Sequence, residues 1–168
     1  MVFIGLCNPK SPSNVGSVMR AAGCYSADAV RYTGDRFDRA VKFHTDTKDA
    51  TSKIPLTRVD DFFDDLPRHC QIVCVELVLG ATPLTQFKHP DTAIYLFGPE
   101  DGSTPQAIVD KADHVVYVPT VGCMNLAASV NVLLYDRLCK SAVDADNDEL
   151  VLSSRDRNNR LRVKPSLN

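Results

Sequence analysis

The sequence predicts an α/β fold built on a parallel sheet, and three observations carry that prediction. Short apolar runs rich in strand formers alternate with segments of helical periodicity along the 168-residue chain. Three of these runs, at 71–79, 93–97 and 114–118, are almost continuously apolar, the pattern of strands buried on both faces. Composition is that of an ordinary globular domain, with 44% apolar and 24% charged residues.

Taken in order, Val2 to Leu6 is a strand, followed by a loop with two prolines, Asn8-Pro9-Lys10-Ser11-Pro12. Ser13 is placed to cap a helix whose apolar face is Val15, Val18, Met19 and Ala22, with Gly23 as its stop. Ala29 to Thr33 is a second strand. Residues 34–56 are polar and are expected to form a long loop with at most a helical turn. Thr57 is expected to cap a short helix running to Leu66, because Asp60 and Asp61 suit a first turn. Pro105 to Ala112 suits a helix with proline at its first position. The last clear element is a helix from Met124 to Cys139 with two apolar stripes. One holds Leu126, Val130, Leu133, Leu134 and Leu138; the other holds Met124, Ala127, Ala128 and Tyr135. A helix apolar on two faces is expected to be buried twice, here by the sheet and by a second subunit. These elements form one domain over 1–140. Residues 141–168 are a tail, acidic first and then basic, with five basic residues and one acid between Arg155 and Lys164.

The net charge of -2 excludes a globally basic nucleic-acid binder, so any such contact must come from a local patch. Lys10, Arg20, Arg31, Arg36, Arg39, Lys42 and the basic tail are the candidate phosphate contacts. No apolar run reaches the roughly 18 residues of a membrane span, so no membrane is expected. The 6 cysteines are dispersed and mostly sit inside apolar runs, which fits buried thiols in a reducing cytoplasm. His69, Cys70 and Cys74 lie close together, but no second pair has ligand spacing, and no metal is expected. Dinucleotide and P-loop glycine patterns and the nucleophile elbow are all missing.

Ligands on parallel sheets bind at the C-terminal ends of strands. Three clusters are expected there. The first is Asn14-Val15-Gly16-Ser17-Val18-Met19-Arg20, in which Asn14 is a cap and Arg20 a solvated side chain on the bland reading. The second is Phe97-Gly98-Pro99-Glu100, where Gly98 permits close backbone approach and Glu100 is either an acid/base group or a turn acid. The third runs from Val118-Pro119 through Cys123-Met124-Asn125-Leu126. Asn125 there is a polar group in an apolar stretch and needs partners, as an internal cap or as a ligand contact.

Together these clusters resemble the motifs of the SpoU/TrmH family of RNA ribose 2′-O-methyltransferases. The first is similar to its N-x-G-x-x-x-R motif, the second to its F-G-x-E motif. The third, with Tyr135-Asp136 trailing, is similar to its I-P…S-[LM]-N-[LV] motif. The resemblance covers Met1 to about Lys140 and is greatest for the compact, TrmL-like type. It implies an α/β fold with a C-terminal trefoil knot and an obligate homodimer. It also implies S-adenosyl-L-methionine as cofactor, held by Glu76, Leu77, Gly98, Val118, Cys123 and Met124. Arg20, Asn14, Glu100 and Asn125 match the catalytic positions. Two departures stand out. Cys123 replaces the usual serine and is a weaker donor; Glu76 stands where compact relatives carry an apolar residue.

The implied reaction is in-line methyl transfer to a ribose 2′-hydroxyl, with tRNA favoured as substrate and rRNA the alternative. The family's usual account gives the hydroxyl proton to the arginine. Arginine is effectively always protonated, so stabilising the developing alkoxide is the physically easier role for Arg20. A rival reading is a non-catalytic RNA-binding module on the same fold, favoured by Cys123. A flavodoxin-like nucleotide-binding domain is a third, but the loop after Leu6 lacks the glycines of a good anion nest.

Overall fold

A computed structural model of the chain describes residues 1–41, 54–141 and 148–163. Seven parallel strands form a single sheet: β1 (Val2–Leu6), β2 (Ala29–Tyr32), β3 (Leu56–Arg58), β4 (Gln71–Val75), β5 (Thr82–Pro83), β6 (Ala93–Phe97) and β7 (His114–Tyr117). Their spatial order is β3-β2-β1-β6-β4-β7-β5. Every neighbouring pair is parallel, as the sequence predicts. The helices are α1 (Pro12–Cys24), α2 (Arg36–Val41), α3 (Gln106–Val109), α4 (Leu126–Lys140) and α5 (Asp148–Ser154).

The sheet is covered on both faces, and strand alternation sorts the residues. Ile4, Leu6, Val73, Tyr95 and Phe97 face a core closed by α1 and α4. Phe3, Cys7, Ile94 and Leu96 face a second core closed by Phe62, with Val59, Phe63, Leu66 and Ile108 packed against it. All five residues of β6 are buried, which is why that strand reads as continuously apolar. Gly5 is needed where the second core meets the sheet: a Cβ there would collide with Leu96 and stand 3.1 Å from the Phe62 ring.

Several element boundaries differ from the expectations. Ser11, not Ser13, caps α1: its Oγ accepts the Asn14 N–H at 3.3 Å, and Pro12 occupies the first turn, where a missing N–H costs nothing. The helix passes Gly23 and ends at Cys24. No helix spans 57–66. Residues 56–58 pair with β2 as a strand, and the turns that follow aim Phe62 into the core. β4 stops at Val75 rather than Leu79, and Glu76 turns its carboxylate onto the N–H groups of Leu77 and Thr104. Leu77 and Leu79 are then 62% and 104% exposed, so that part of the apolar run is loop. β7 likewise ends one residue before Val118. α3 has only four residues, with Pro105 as its cap. α4 begins after Asn125 and buries Leu126, Ala127, Val130, Leu133 and Leu134, while Leu138 and Tyr135 stay exposed. Within this chain α4 is therefore covered on one side only. The tail contains α5, which the sequence reading did not anticipate.

Candidate functional site

β4 lies between β6 and β7, so the loops leaving these three strands at their C-terminal ends converge. They enclose a cleft of about 300 Å³. Its walls are Glu76 and Leu77 after β4, Gly98 and Glu100 after β6, and Val118 and Cys123 after β7. Met124 and Asn125 close one side. Every residue expected to hold a cofactor thus faces one cavity. Asn14 borders it through its bonds; Arg20 does not line it.

Gly98 is the hinge of the arrangement. The Glu76 carboxylate passes over it to accept the Thr104 N–H at 2.8 Å. A Cβ at Gly98 would sit 3.0 Å from Glu76 Oε2 and 2.9 Å from Thr104 Oγ1. Only glycine leaves room for this latch between the β4 and β6 loops. The other Glu76 oxygen accepts the Leu77 N–H at 3.1 Å. Thr104, which the sequence reading did not single out, is buried close to the Cys74 thiol, and no nitrogen or oxygen among the described residues pairs with its Oγ1.

A second connection joins the three motifs. Glu100 Oε1 accepts the Ser11 N–H at 3.1 Å and the Asn14 side-chain amide at 3.2 Å, while Oε2 accepts the Lys10 N–H at 3.0 Å. Asn14 Oδ1 accepts from Asn125 Nδ2 at 3.0 Å. Asn125 Oδ1 in turn accepts the Ala127 N–H at 2.9 Å and caps α4. Burial alone would raise the Glu100 pKa. The N–H donors around it, from its own backbone, Lys10, Asn14 and Ser11, outweigh burial and hold it below the usual carboxylate range. Glu100 is thus an ionised acceptor organising the N-terminal end of α1. An acid already saturated with donors is poorly suited to proton transfer. Of the two alternatives the sequence left for Asn125, the structure shows the internal cap, and its amide also donates to Asn14.

The candidate phosphate-binding cations divide sharply. Lys10 and Arg36 both pair with Asp101, at 3.0 and 2.8 Å. These hydrogen bonds hold the Asp101 pKa below its ordinary value. Arg31 donates to the carbonyls of Asp64 and Asp65, and Arg39 pairs with Asp35 at 3.2 Å. Lys42 lies outside the described residues. Arg20 is exposed on α1 with no hydrogen bond or ion pair among the described residues. His69, Cys70 and Cys74 do not converge on a shared centre. Cys74 is buried in β4, and burial pushes its thiol up to about 11. No helix among the described residues is long and apolar enough to cross a membrane.

The sequence model of the SpoU rRNA methylase family matches residues 1–135. The chain belongs to this family. No curated protein matches it. Among solved structures it is similar to the SpoU methyltransferase AviRb from Streptomyces viridochromogenes, with 19% identity and a TM-score of 0.67 over 83% of this chain and 59% of that one. It is also similar to an AdoMet-bound rRNA methyltransferase from Sinorhizobium meliloti, with 19% identity and a TM-score of 0.64 over 81% of this chain and 55% of that one. A third similar structure was solved for insight into 2-OH methylation of C/U34 on tRNA. There the identity is 22% and the TM-score 0.66, over 83% of this chain and 90% of that one. The SpoU-family chain therefore spans little more than half of the first two relatives and most of the third. At these identities the likeness is one of fold.

Proposed function

We propose that this SpoU-family protein transfers a methyl group from S-adenosyl-L-methionine to a ribose 2′-hydroxyl of RNA, with tRNA the favoured substrate. The observation that carries the reading is the line Glu100–Asn14–Asn125, which ties all three motifs together beside one cleft. The cleft fits the cofactor in size: about 300 Å³ falls at the lower end of the range for small-molecule sites, roughly 300–1,000 Å³.

S-adenosyl-L-methionine supplies an activated methyl when bound. Glu76, Leu77, Gly98, Val118, Cys123 and Met124 would hold it, much of the contact being to backbone groups. Cys123 is exposed at the wall and serves through its backbone, since a thiol replaces a hydroxyl poorly as a donor. Asn14 and Asn125 fix the approach of α1 to α4, and with it the ribose relative to the methyl. Arg20 stabilises the developing alkoxide and grips the adjacent phosphate; its lack of a partner among the described residues supports that role. A phosphate oxygen or water takes the proton.

The reading includes a homodimer and the C-terminal knot. Val132, Tyr135 and Leu138, exposed along α4, would be covered by a second copy. It also divides the chain into a catalytic domain, 1–140, and a basic tail, 141–168, that adds phosphate contacts, and it places the protein in the cytoplasm.

Labelled S-adenosyl-L-methionine, offered with unmodified total tRNA and separately with rRNA, tests the reading. Alkali-resistant 2′-O label in tRNA, lost in Arg20→Ala, is the expected result. Label confined to rRNA would move the substrate to the alternative. Absence of both label and cofactor binding would favour the non-catalytic RNA-binding module, the reading that Cys123 supports.

A further inference from the structure

The cleft is electrostatically one-sided. No lysine, arginine or histidine lines it among the described residues, yet two carboxylates, Glu76 and Glu100, do. They are not equivalent. Glu100 directs both oxygens at the N-terminal segment of α1, where three donors engage them. Glu76 is half-buried in the loop after β4, and each of its oxygens accepts a single N–H, from Leu77 and from Thr104. A carboxylate offers about four lone-pair sites, so Glu76 keeps accepting capacity. Its charge is not neutralised by any intrachain ion pair among the described residues. A fixed negative charge in a partly desolvated cavity favours a cationic ligand over a neutral one of the same shape.

Building on the proposed function, we infer that Glu76 is a charge-selecting residue that makes the cleft prefer a sulfonium or ammonium cation to a neutral thioether. The methyl donor carries a sulfonium; the spent product, S-adenosylhomocysteine, differs by the methyl and that charge. A carboxylate on the wall therefore discriminates substrate from product, so that the product leaves and the donor replaces it. The Thr104 latch gives the carboxylate a defined position, and the missing Cβ of Gly98 leaves it room.

The test is calorimetric binding without RNA, using S-adenosyl-L-methionine, S-adenosylhomocysteine and sinefungin, which carries an ammonium near the sulfonium position. Glu76→Gln retains the size and an acceptor for the latch while removing the charge. It is expected to weaken both cations roughly five- to tenfold and the thioether by less than about twofold. Equal weakening of all three, as from a latch or from pairing with the α-ammonium that all three carry, would overturn the inference, as would no change in any. If the variant does not fold, the wild-type protein decides. Its preference for the cations over the thioether should fall as salt rises from about 50 to about 500 mM; a preference indifferent to salt overturns the inference. Wild-type protein that binds none of the three overturns the parent reading as well, which separates the two failures.

Discussion

The two ends of the sheet each carry a polar cluster, and the two are built in opposite ways. At the C-terminal end, Glu100, Asn14 and Asn125 form an open line along a cleft. Near the N-terminal end of β6, His89 links Tyr95 at 2.8 Å to Asp136 at 2.9 Å. Arg137 reaches the Tyr95 hydroxyl and the carbonyls of Pro90 and Asp91. Lys140 bonds Asp136 and the carbonyls of Leu84 and Phe87. That cluster consumes its donors internally and ties α4 to the segment before β6. Closed networks add rigidity; open ones leave capacity for a ligand. The same sheet thus carries a closed polar network at one end and a cleft with spare hydrogen-bonding capacity at the other.

Substitutions at the two ends should separate accordingly. The largest effect expected is on methyl transfer in Arg20→Ala: a loss of about 100-fold or more. Its melting temperature should not move, because Arg20 is exposed and has no hydrogen-bond or ion-pair partner among the described residues. Retention of half the wild-type turnover would remove Arg20 from the reaction. At the closed end, Arg137→Ala should cost about 2–4 kcal/mol by denaturant unfolding, since Tyr95 and two carbonyls lose a charged donor. Cofactor affinity should be unchanged; a parallel loss of affinity would mean that the two ends are coupled. Asn14→Ala falls between them. It removes a link from Glu100 to Asn125 and should cost about 1–2 kcal/mol together with about a tenfold drop in turnover.

The pH response should also differ by end. Burial lowers the His89 pKa, outweighing the opposing hydrogen bond that the ring makes to the Asp136 carboxylate. The fold therefore favours neutral His89. Its contribution is intact above the unfolded value of about 6.5 and declines as pH falls through that value. A melting profile should show a loss as pH falls below about 6.5 that His89→Gln flattens. The lowered Glu100 pKa acts further down: its contribution is present above the unfolded carboxylate value and disappears as pH falls through the folded one. The smallest effect belongs to Asp101→Asn. Its ion pairs with Lys10 and Arg36 are exposed, so melting should not change measurably. A clear loss would show that the bridge from α2 to the β6 loop holds the cleft in shape.

Much of the site was legible as residue types. Asn14, Glu100 and Asn125 were singled out as polar groups at helix starts or after a glycine turn. What they bond to was not legible, because Asn125 and Asn14 are 111 residues apart in sequence. The segment 57–66 misled because Asp60 and Asp61 suit a helix start, yet Phe62 is worth more inside the second core than on a helix. The run 71–79 misled for a different reason. An apolar residue in a loop has the same periodicity signal as one in a strand, and only Glu76 marked the change.

Local physics accounts for what the sequence determined by itself. The continuous apolar runs became the strands β4, β6 and β7, although only β6 is buried throughout, and the 3.6-residue period made α1 and α4 helices. Strand order was decided only in the tertiary structure. The insertion of β4 between β6 and β7 is what brings the three loops to one cleft. It rests on backbone pairing between segments far apart in the chain, and backbone groups are the same at every residue. No side-chain pattern records which strand they will meet.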